Sequence, residues 1–547
     1  MNTPKLSRRS FLTLGGATAV GGMLAMAGCA PQNMEKQEEG PLPQNEPAAL
    51  KKADETKECD VAVVGAGGAG MWAAVEAARA GKSVIVIEKG SNLGTSNASR
   101  AGGSFIVGSK KQREAGVTLT VEEAFKHVMD WSHWSVNAAA TKEAISLSGE
   151  TVDLFTDMFG VPYNLRPDNY GAGHPSVRSN FRADAGVPDS VVAGEDRFKP
   201  LQTWIEEQGE NEFLFETAGK SLIMEDDACV GVQCEGAGII DVKAKAVIIA
   251  TGGFLGNQDR IKEKYGTKVV PLGNLLSTGE GIDMVLAAGG QESTQWGIAG
   301  YEFGANNELS SEKMDMGYAP LNIGSHGPLM VNNQGRRFAN EGEYANLPLA
   351  VGGAISLSAG HFYAIVDQGY LDALDSGIDA CTLLGSDEEN WRTGYMTIKD
   401  RPLANVMENI EKAMGEGWIF RCDTIEELAE TIGTPDLAQT LAEYNGYCAT
   451  GVDEQFYKAS CFLREIKDGP FYAFQYEPSA WVTIGGVRTN DHMQAVDTDG
   501  NAIPGLFVAG ADNGTLMNAP YCNYEGYSLM CAFSGGRMAG KYAAASL

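Results

Sequence analysis

The sequence predicts an α/β fold in which a largely parallel sheet is covered by helices. Residues 59–90, CDVAVVGAGGAGMWAAVEAARAGKSVIVIEKG, run from a β-branched strand through a glycine turn into a helix and out to a second strand. Two later runs, AVIIATGG at 246–253 and GLFVAGADNG at 505–514, repeat a strand that ends in glycine. The 547 residues, 44% of them hydrophobic, are enough for a large core and more than one domain.

The first thirty residues stand apart from that fold. SRRSFL (7–12) places twin arginines before a moderately apolar, glycine-containing run, the pattern of a twin-arginine export signal. Ala25-Met26-Ala27 suits a signal peptidase, whereas Met26-Ala27-Gly28-Cys29 has the form of a lipoprotein box, so lipidation at Cys29 stays open. The signal is taken as 1–29 and a disordered tether, rich in Pro, Gln, Glu and Lys, as 30–57. Signals of this kind resemble those of proteins moved already folded, often around a cofactor, to the periplasm or the outer face of the membrane. A cofactor site is therefore expected downstream.

Composition removes several other functions. Acidic residues outnumber basic ones 71 to 42, and the formal charge of -29 repels nucleic acid and anionic headgroups. The ten cysteines include no CxxC pair and no haem-attachment motif. His174, His326 and the His127/His133 pair lack metal spacing and read as surface or core residues, so no metal is expected.

The first strand–turn–helix unit carries the cofactor chemistry. GAGGAG (65–70) is GxGxxG: Gly65 permits the tight turn, Gly67 lets backbone approach a pyrophosphate, and Gly70 lets helix and strand touch. The helix N-terminus supplies N–H donors to phosphate, and Glu88, at the end of the second strand, can accept from a ribose diol. Four later segments favour FAD over NAD: the hydroxyl-rich loop 92–103, the strand and Ala-Thr-Gly-Gly end of 241–257, the glycine-flanked helix start of 277–290, and 501–514 with Asp512. Each alone reads as a turn; their order along the chain adds weight.

That order resembles the flavoprotein family of fumarate reductases, succinate dehydrogenases, urocanate reductases and 3-ketosteroid dehydrogenases, over residues 59–547. The resemblance implies a Rossmann-like FAD-binding domain in two pieces, 58–320 and 480–547, with an inserted α+β capping domain, 321–479, on the substrate side. It carries the adenosine contacts onto Gly65, Gly67, Gly70 and Glu88, and loop contacts onto Thr95, Ser96, Asn97, Gly102 and Gly103. Glu280 stands where the family's NTGDG has aspartate, and Ser528 and Leu529 match backbone contacts to the flavin pyrimidine.

The substrate side departs from fumarate reductase. Asn340 and Glu341 match its NExxxR element, but Ala345 replaces the proton-donating arginine. Residues 322–328, NIGSHGP, lack the expected Thr-Glu and Arg; residues 481–487 lack the expected histidine; and a tyrosine-rich loop, 518–529, replaces the second clamping arginine. Dicarboxylates are held by paired planar cations, so fumarate and succinate are not expected substrates. Trp481, Tyr521, Tyr524 and Tyr527 instead offer rings and phenol donors suited to a neutral aromatic or enone-like molecule, with core packing the alternative for each ring. In 3-ketosteroid dehydrogenases a comparable loop binds the substrate carbonyl through a tyrosine and a glycine N–H; Gly526 matches that glycine, and Tyr521 that tyrosine with one residue inserted. Tyr344, beside the vacant arginine position, is the expected acid, and Arg337 is read as a structural ion pair.

The expectation is an exported FAD-dependent reductase of an activated C=C bond, serving anaerobic respiration and fed by a separate electron-donor protein, a membrane or surface carrier such as a cytochrome. A 3-ketosteroid-type dehydrogenase and a non-catalytic FAD electron carrier are the alternatives.

Overall fold

The computed structural model describes residues 49–101, 103–165, 180–183, 194–300, 303–305, 329–342, 355–376, 405–522, 524 and 526–547. The larger sheet begins with β1 (Glu55–Val64), which leads through the glycine turn into α1 (Gly68–Arg79) and on to β2 (Val84–Ile87). Two helices, α2 (Val121–Trp131) and α3 (Ala138–Asp157), precede β3 (Glu212–Leu214), β4 (Ala218–Glu225), β5 (Ala228–Glu235) and β6 (Ile239–Ile249). β1 lies between β2 and β6, parallel to both, and β3 extends the parallel set beyond β2. The 11-residue β6 pairs antiparallel with β5 along its first half.

A second sheet is assembled around one long central strand. Its first members are β7 (Val270–Pro271), β8 (Phe303–Gly304), β9 (Leu329–Asn332), β10 (Phe362–Asp367) and β11 (Ile419–Cys422). The central strand is β12 (Phe471–Ala480), which pairs parallel with β7 and antiparallel with β8, β10 and β11, while β9 pairs with β10. Between β7 and β8 lies α4 (Glu280–Ala287), and α5 (Ile425–Ile432) and α6 (Leu437–Thr450) cover one face of the second sheet.

The chain then returns to the first sheet. β13 (Gln494–Val496) and β14 (Ala502–Val508) pair antiparallel with each other, and β14 joins the second half of β6 in parallel. α7 (Tyr527–Ala545) closes the chain against α1. The parallel order β14-β6-β1-β2-β3 puts the switch of winding direction at β1, and ligand crevices form beyond the carboxyl ends of strands at such a switch. Both faces of β1 are covered: Val61 and Val63 enter the core under α1 and α7, Ala62 and Val64 the opposite one. The unbroken VAVV run follows from that two-sided burial.

One boundary differs from the expectation. The tether was expected to reach residue 57, yet Glu55, Thr56 and Lys57 pair with Ile240, Asp241 and Val242. β6 extends past the apolar part of β1 and offers its backbone to three polar residues, and Lys57 adds a 3.0 Å contact to Glu212. The pairing partner, 185 residues away, is invisible in a local composition. Among the described residues no helix is long and apolar enough to cross a membrane, and no cluster of His, Cys, Asp or Glu could hold a metal ion.

Candidate active site

A cavity of about 400 Å³ lies at the carboxyl ends of β1, β2 and β6 and runs to the start of α7. Gly65, Gly67, Glu88, Ser96, Asn97, Gly103, Glu280, Tyr521, Gly526, Ser528 and Leu529 all line it. Eleven of the expected residues, drawn from five segments, are thus brought to one wall. Gly102 and Tyr344 lie outside the described residues, as do Ala345, residues 322–328, Cys29, His174 and His326.

At the β1 end the glycines behave as their spacing implies. Gly65 has φ +104°, and a Cβ there would stand 2.3 Å from the Ala250 carbonyl oxygen. Gly70 lies beneath the wall, where a Cβ would stand 1.8 Å from the Gly65 oxygen, so only glycine lets helix and turn touch. α1 starts at Gly67 with no side-chain cap and no acidic residue in its first turn, which leaves its N–H groups and partial positive charge to a ligand. The Glu88 carboxylate is aimed by two backbone donors, Ala66 N–H at 2.8 Å and Gly90 N–H at 2.6 Å.

Glu280 is set by lysines that the sequence reading did not single out. It accepts from Lys89 at 2.7 Å, Lys220 at 3.0 Å and Thr278 at 2.8 Å. Burial pushes its carboxyl up, but these partners outweigh it and hold the group below its ordinary value. Lys89 follows Glu88 directly and was findable by position; Lys220, in β4, carried no local signal.

Thr95 and Asp512 do not line the cavity. Thr95 donates to the Asn92 carbonyl at 3.1 Å and shapes the loop from within. Asp512 is fully buried beneath the Ala250-Thr251-Gly252 wall and accepts from Thr251 N–H, the Thr251 hydroxyl at 2.9 Å, Gly252 N–H at 3.2 Å and Gly253 N–H at 2.9 Å. Burial raises its carboxyl, offset in part by these donors. Asp512 anchors the wall from behind. Asn97 does the same work at the front, donating to the Trp481 carbonyl at 2.8 Å and accepting from Asn274 N–H. Arg197, buried and also unflagged by sequence, donates to the Ala98 and Ala101 carbonyls at 2.5 and 2.7 Å and closes the one-turn helix Asn97–Arg100.

The far end is aromatic and apolar. Trp481, Val482, Met517 and Tyr521 line it with the small residues Ala299 and Gly300. α7 starts at Gly526, φ +75°, again with no side-chain cap. The Ser528 N–H donates to the Tyr521 phenol oxygen at 2.6 Å, which leaves the Tyr521 O–H proton to give elsewhere. Burial pushes the Tyr521 phenol far above its ordinary value, so it stays protonated.

The neighbouring tyrosines are placed differently. Tyr524 stacks on Phe105 at 4.2 Å and meets the edge of His127 at 4.6 Å, outside the cavity lining. It packs in the core, the alternative kept open for each ring, and the expected phenol facing substrate is not found: the Tyr524 ring is taken up by Phe105 and His127. Tyr527 is likewise buried and donates to the Leu516 carbonyl at 3.3 Å. Arg337, in the second sheet's surroundings, is the ion pair its context implied, bidentate to Glu341 at 3.0 and 2.8 Å and to Asp453 at 2.9 and 2.8 Å.

Comparisons with known proteins agree with this geometry. The chain is 28% identical over 500 residues to a vinyl phenol reductase of Lactiplantibacillus plantarum, covering 89% of this chain and 96% of that one. It is 28% identical over 524 residues to a urocanate reductase of Eggerthella lenta, covering 90% of this chain and 75% of that one. The open conformation of a flavocytochrome c3 fumarate reductase shares the fold, with a TM-score of 0.60 at 23% identity over 90% of this chain and 79% of that chain. The glycine cradle, the two uncapped helix starts and the cavity-lining Glu88 fit FAD, and the family model described as FAD binding domain matches residues 60–528. The chain belongs to the FAD binding domain family and is an FAD-dependent oxidoreductase acting on CH–CH groups.

Proposed function

We propose that the protein reduces an activated C=C bond in a small neutral substrate, aromatic or enone-like, rather than a dicarboxylate. The observation that carries this is the Tyr521 hydroxyl: buried, protonated, its oxygen already accepting from Ser528, in a pocket end formed with Trp481, Val482 and Met517. Among the described wall residues the cations are Lys89, tied to Glu280, and the exposed Arg100, which do not form the arginine pair a dicarboxylate needs. The likeness to a vinyl phenol reductase along nearly its whole length supports an aryl alkene.

Held by the cradle residues around Gly65, Gly67 and Glu88, FAD in its reduced form would provide the hydride that one alkene carbon needs. The chain's residues do the rest. Tyr521 O–H donates to the substrate oxygen and stabilises the charge that gathers there when hydride adds to an enone, or to the quinone methide that a 4-vinylphenol becomes once its terminal carbon gains a proton and its phenol loses one. Trp481 and Met517 hold the ring and exclude water. A proton must reach the second carbon, and Tyr344 is the proposed donor from the sequence context of Asn340 and Glu341. In this reading residues 321–479 form the capping, substrate-side part. Tyr521 and the uncapped start of α7 at Gly526 would equally serve a 3-ketosteroid-type dehydrogenase, which runs the reverse reaction on a carbonyl.

Export by the twin-arginine route and supply of electrons by a separate membrane or surface carrier complete the proposal. Fractionation of cells with an antibody should place the protein outside the cytoplasm, and substitution of Arg8 and Arg9 by lysine should retain it inside. The reaction is tested with purified FAD-loaded protein and reduced methyl viologen. Fumarate, urocanate, cinnamate, 4-vinylphenol and an enone steroid are screened as oxidants. Turnover with 4-vinylphenol or the enone supports the proposal; turnover with fumarate, urocanate or cinnamate alone contradicts it, and none with any acceptor favours an electron carrier.

A further inference from the structure

The loop that carries Tyr521 is secured by a distant part of the chain. Between Asp512 and Tyr527 the described residues form no helix or strand, so side-chain ties decide where the hydroxyl stands. The indole N–H of Trp131, the last residue of α2, donates at 3.2 Å to the carbonyl of Pro520, the residue before Tyr521. The chain beyond α2 continues the attachment: the Asn518 amide donates to the Ser132 carbonyl at 3.4 Å and to the Ser135 hydroxyl at 3.1 Å, and Asn137 N–H donates to the Thr515 carbonyl at 3.0 Å. One turn earlier in α2, His127 meets Tyr524, whose other contact is Phe105. Both limbs of the loop are therefore fixed by the end of α2.

We propose that Trp131 is a positioning residue for the reaction, its indole N–H fixing the Pro520 carbonyl and through it the place of the Tyr521 hydroxyl in the cavity. This rests on the role given to Tyr521 above. A donor aimed at developing charge loses most of its effect when displaced by about 1 Å, so a single hydrogen bond behind the loop reaches the rate without touching substrate.

The test is a double-mutant cycle on the full-length, FAD-loaded protein, with Trp131→Phe, Tyr521→Phe and the pair, assayed with reduced methyl viologen and 4-vinylphenol. Dissociation of 4-ethylphenol, read from the flavin absorbance, and the melting temperature are measured alongside. Trp131→Phe keeps the ring and removes the N–H; its kcat is expected to fall about five- to tenfold, the scale of one hydrogen bond, with 4-ethylphenol binding weakened. In the Tyr521→Phe background the same change is expected to have no further effect. Equal fold losses in both backgrounds, or a wild-type kcat for Trp131→Phe, overturn the inference. Asn518→Ala, which removes the neighbouring tie, must show the same coupling and serves if Trp131→Phe does not fold. Should Tyr521→Phe itself turn over at the wild-type rate, or the wild type reduce neither 4-vinylphenol nor the enone steroid, the proposed function fails and takes this inference with it. A slow Tyr521→Phe beside a silent Trp131→Phe removes the positioning role alone.

Discussion

Tyr521 and Tyr524 are three residues apart in one loop, and nothing local distinguishes them. Their fates diverge because Phe105 and His127 capture the Tyr524 ring while the Tyr521 oxygen meets the first turn of α7. Removing the Tyr521 hydroxyl as Tyr521→Phe is expected to lower kcat about 10²-fold, the cost of one preorganised donor, with FAD content unchanged. The same substitution at Tyr524 should shift the melting temperature while leaving kcat within a few-fold, measured in the same viologen assay. Gly65, Gly67, Gly70 and Glu88 were legible because their chemistry requires fixed spacing along one short segment. Arg197 and Lys220 were not, since each acts on residues that only the folded chain brings near. Asp512 shows a third case: the residue was legible, its task was not. It receives four donors of the Thr251–Gly253 turn, so Asp512→Asn should cost about 2 kcal/mol of stability and loosen FAD, measured by thermal melting and by flavin retained on dilution.

Among elements, the packing of α7 on α1 decides where the uncapped start of α7 points. Gly536 and Gly540 let the helices approach until a Cβ would stand 2.2 Å from the Ala69 oxygen and 2.3 Å from the Ala73 oxygen. Arg537, over the Trp72 ring and bonded to Glu76 at 2.6 Å, fixes the pair from the side. Gly540→Ala is therefore expected to lose about 1–3 kcal/mol, seen in urea unfolding, together with FAD affinity, because α7 must move to admit the methyl group. The resemblance marked the start of α7, with Ser528 and Leu529, for its flavin contacts; its packing on α1 was not legible, because the partner backbone at Ala69 and Ala73 lies far away along the chain.

The second sheet depends on a buried charge cluster. Glu341 and Asp453 flank Arg337, and Lys458 stands 3.4 Å from Glu341. Burial pushes both carboxyls up, yet Lys458 and Arg337 at Glu341, and Arg337 with backbone donors at Asp453, hold both below their ordinary values. The unfolded chain then binds more protons in acid. Their contribution is complete above about pH 5 and is lost as pH falls through the folded values. Glu341→Gln leaves Arg337 and Lys458 short of a counter-charge and should cost about 3 kcal/mol at pH 7, with a smaller difference from wild type in acid, both read from urea midpoints.

For the whole molecule, the α/β sheet around β1 was legible because strand, glycine turn and helix are local patterns, whereas its strand order and the switch at β1 came from the folded chain. An inserted α+β unit came only through the resemblance, and its sheet was not legible strand by strand, because β12 recruits four short strands from across about 200 residues. The cavity is shared between the two readings: its dinucleotide end was written in motifs, while its substrate end is proposed from missing arginines and from the place of Tyr521 in the lining. The direct test of a neutral-alkene reductase is a single turnover under anaerobic conditions. Protein reduced stoichiometrically with dithionite is mixed with 4-vinylphenol or with fumarate, and flavin absorbance is followed while product is trapped and identified. Rapid reoxidation by 4-vinylphenol with formation of one 4-ethylphenol per flavin, and none by fumarate, is the predicted result. Reoxidation by fumarate with formation of succinate, and none by 4-vinylphenol, would contradict the account.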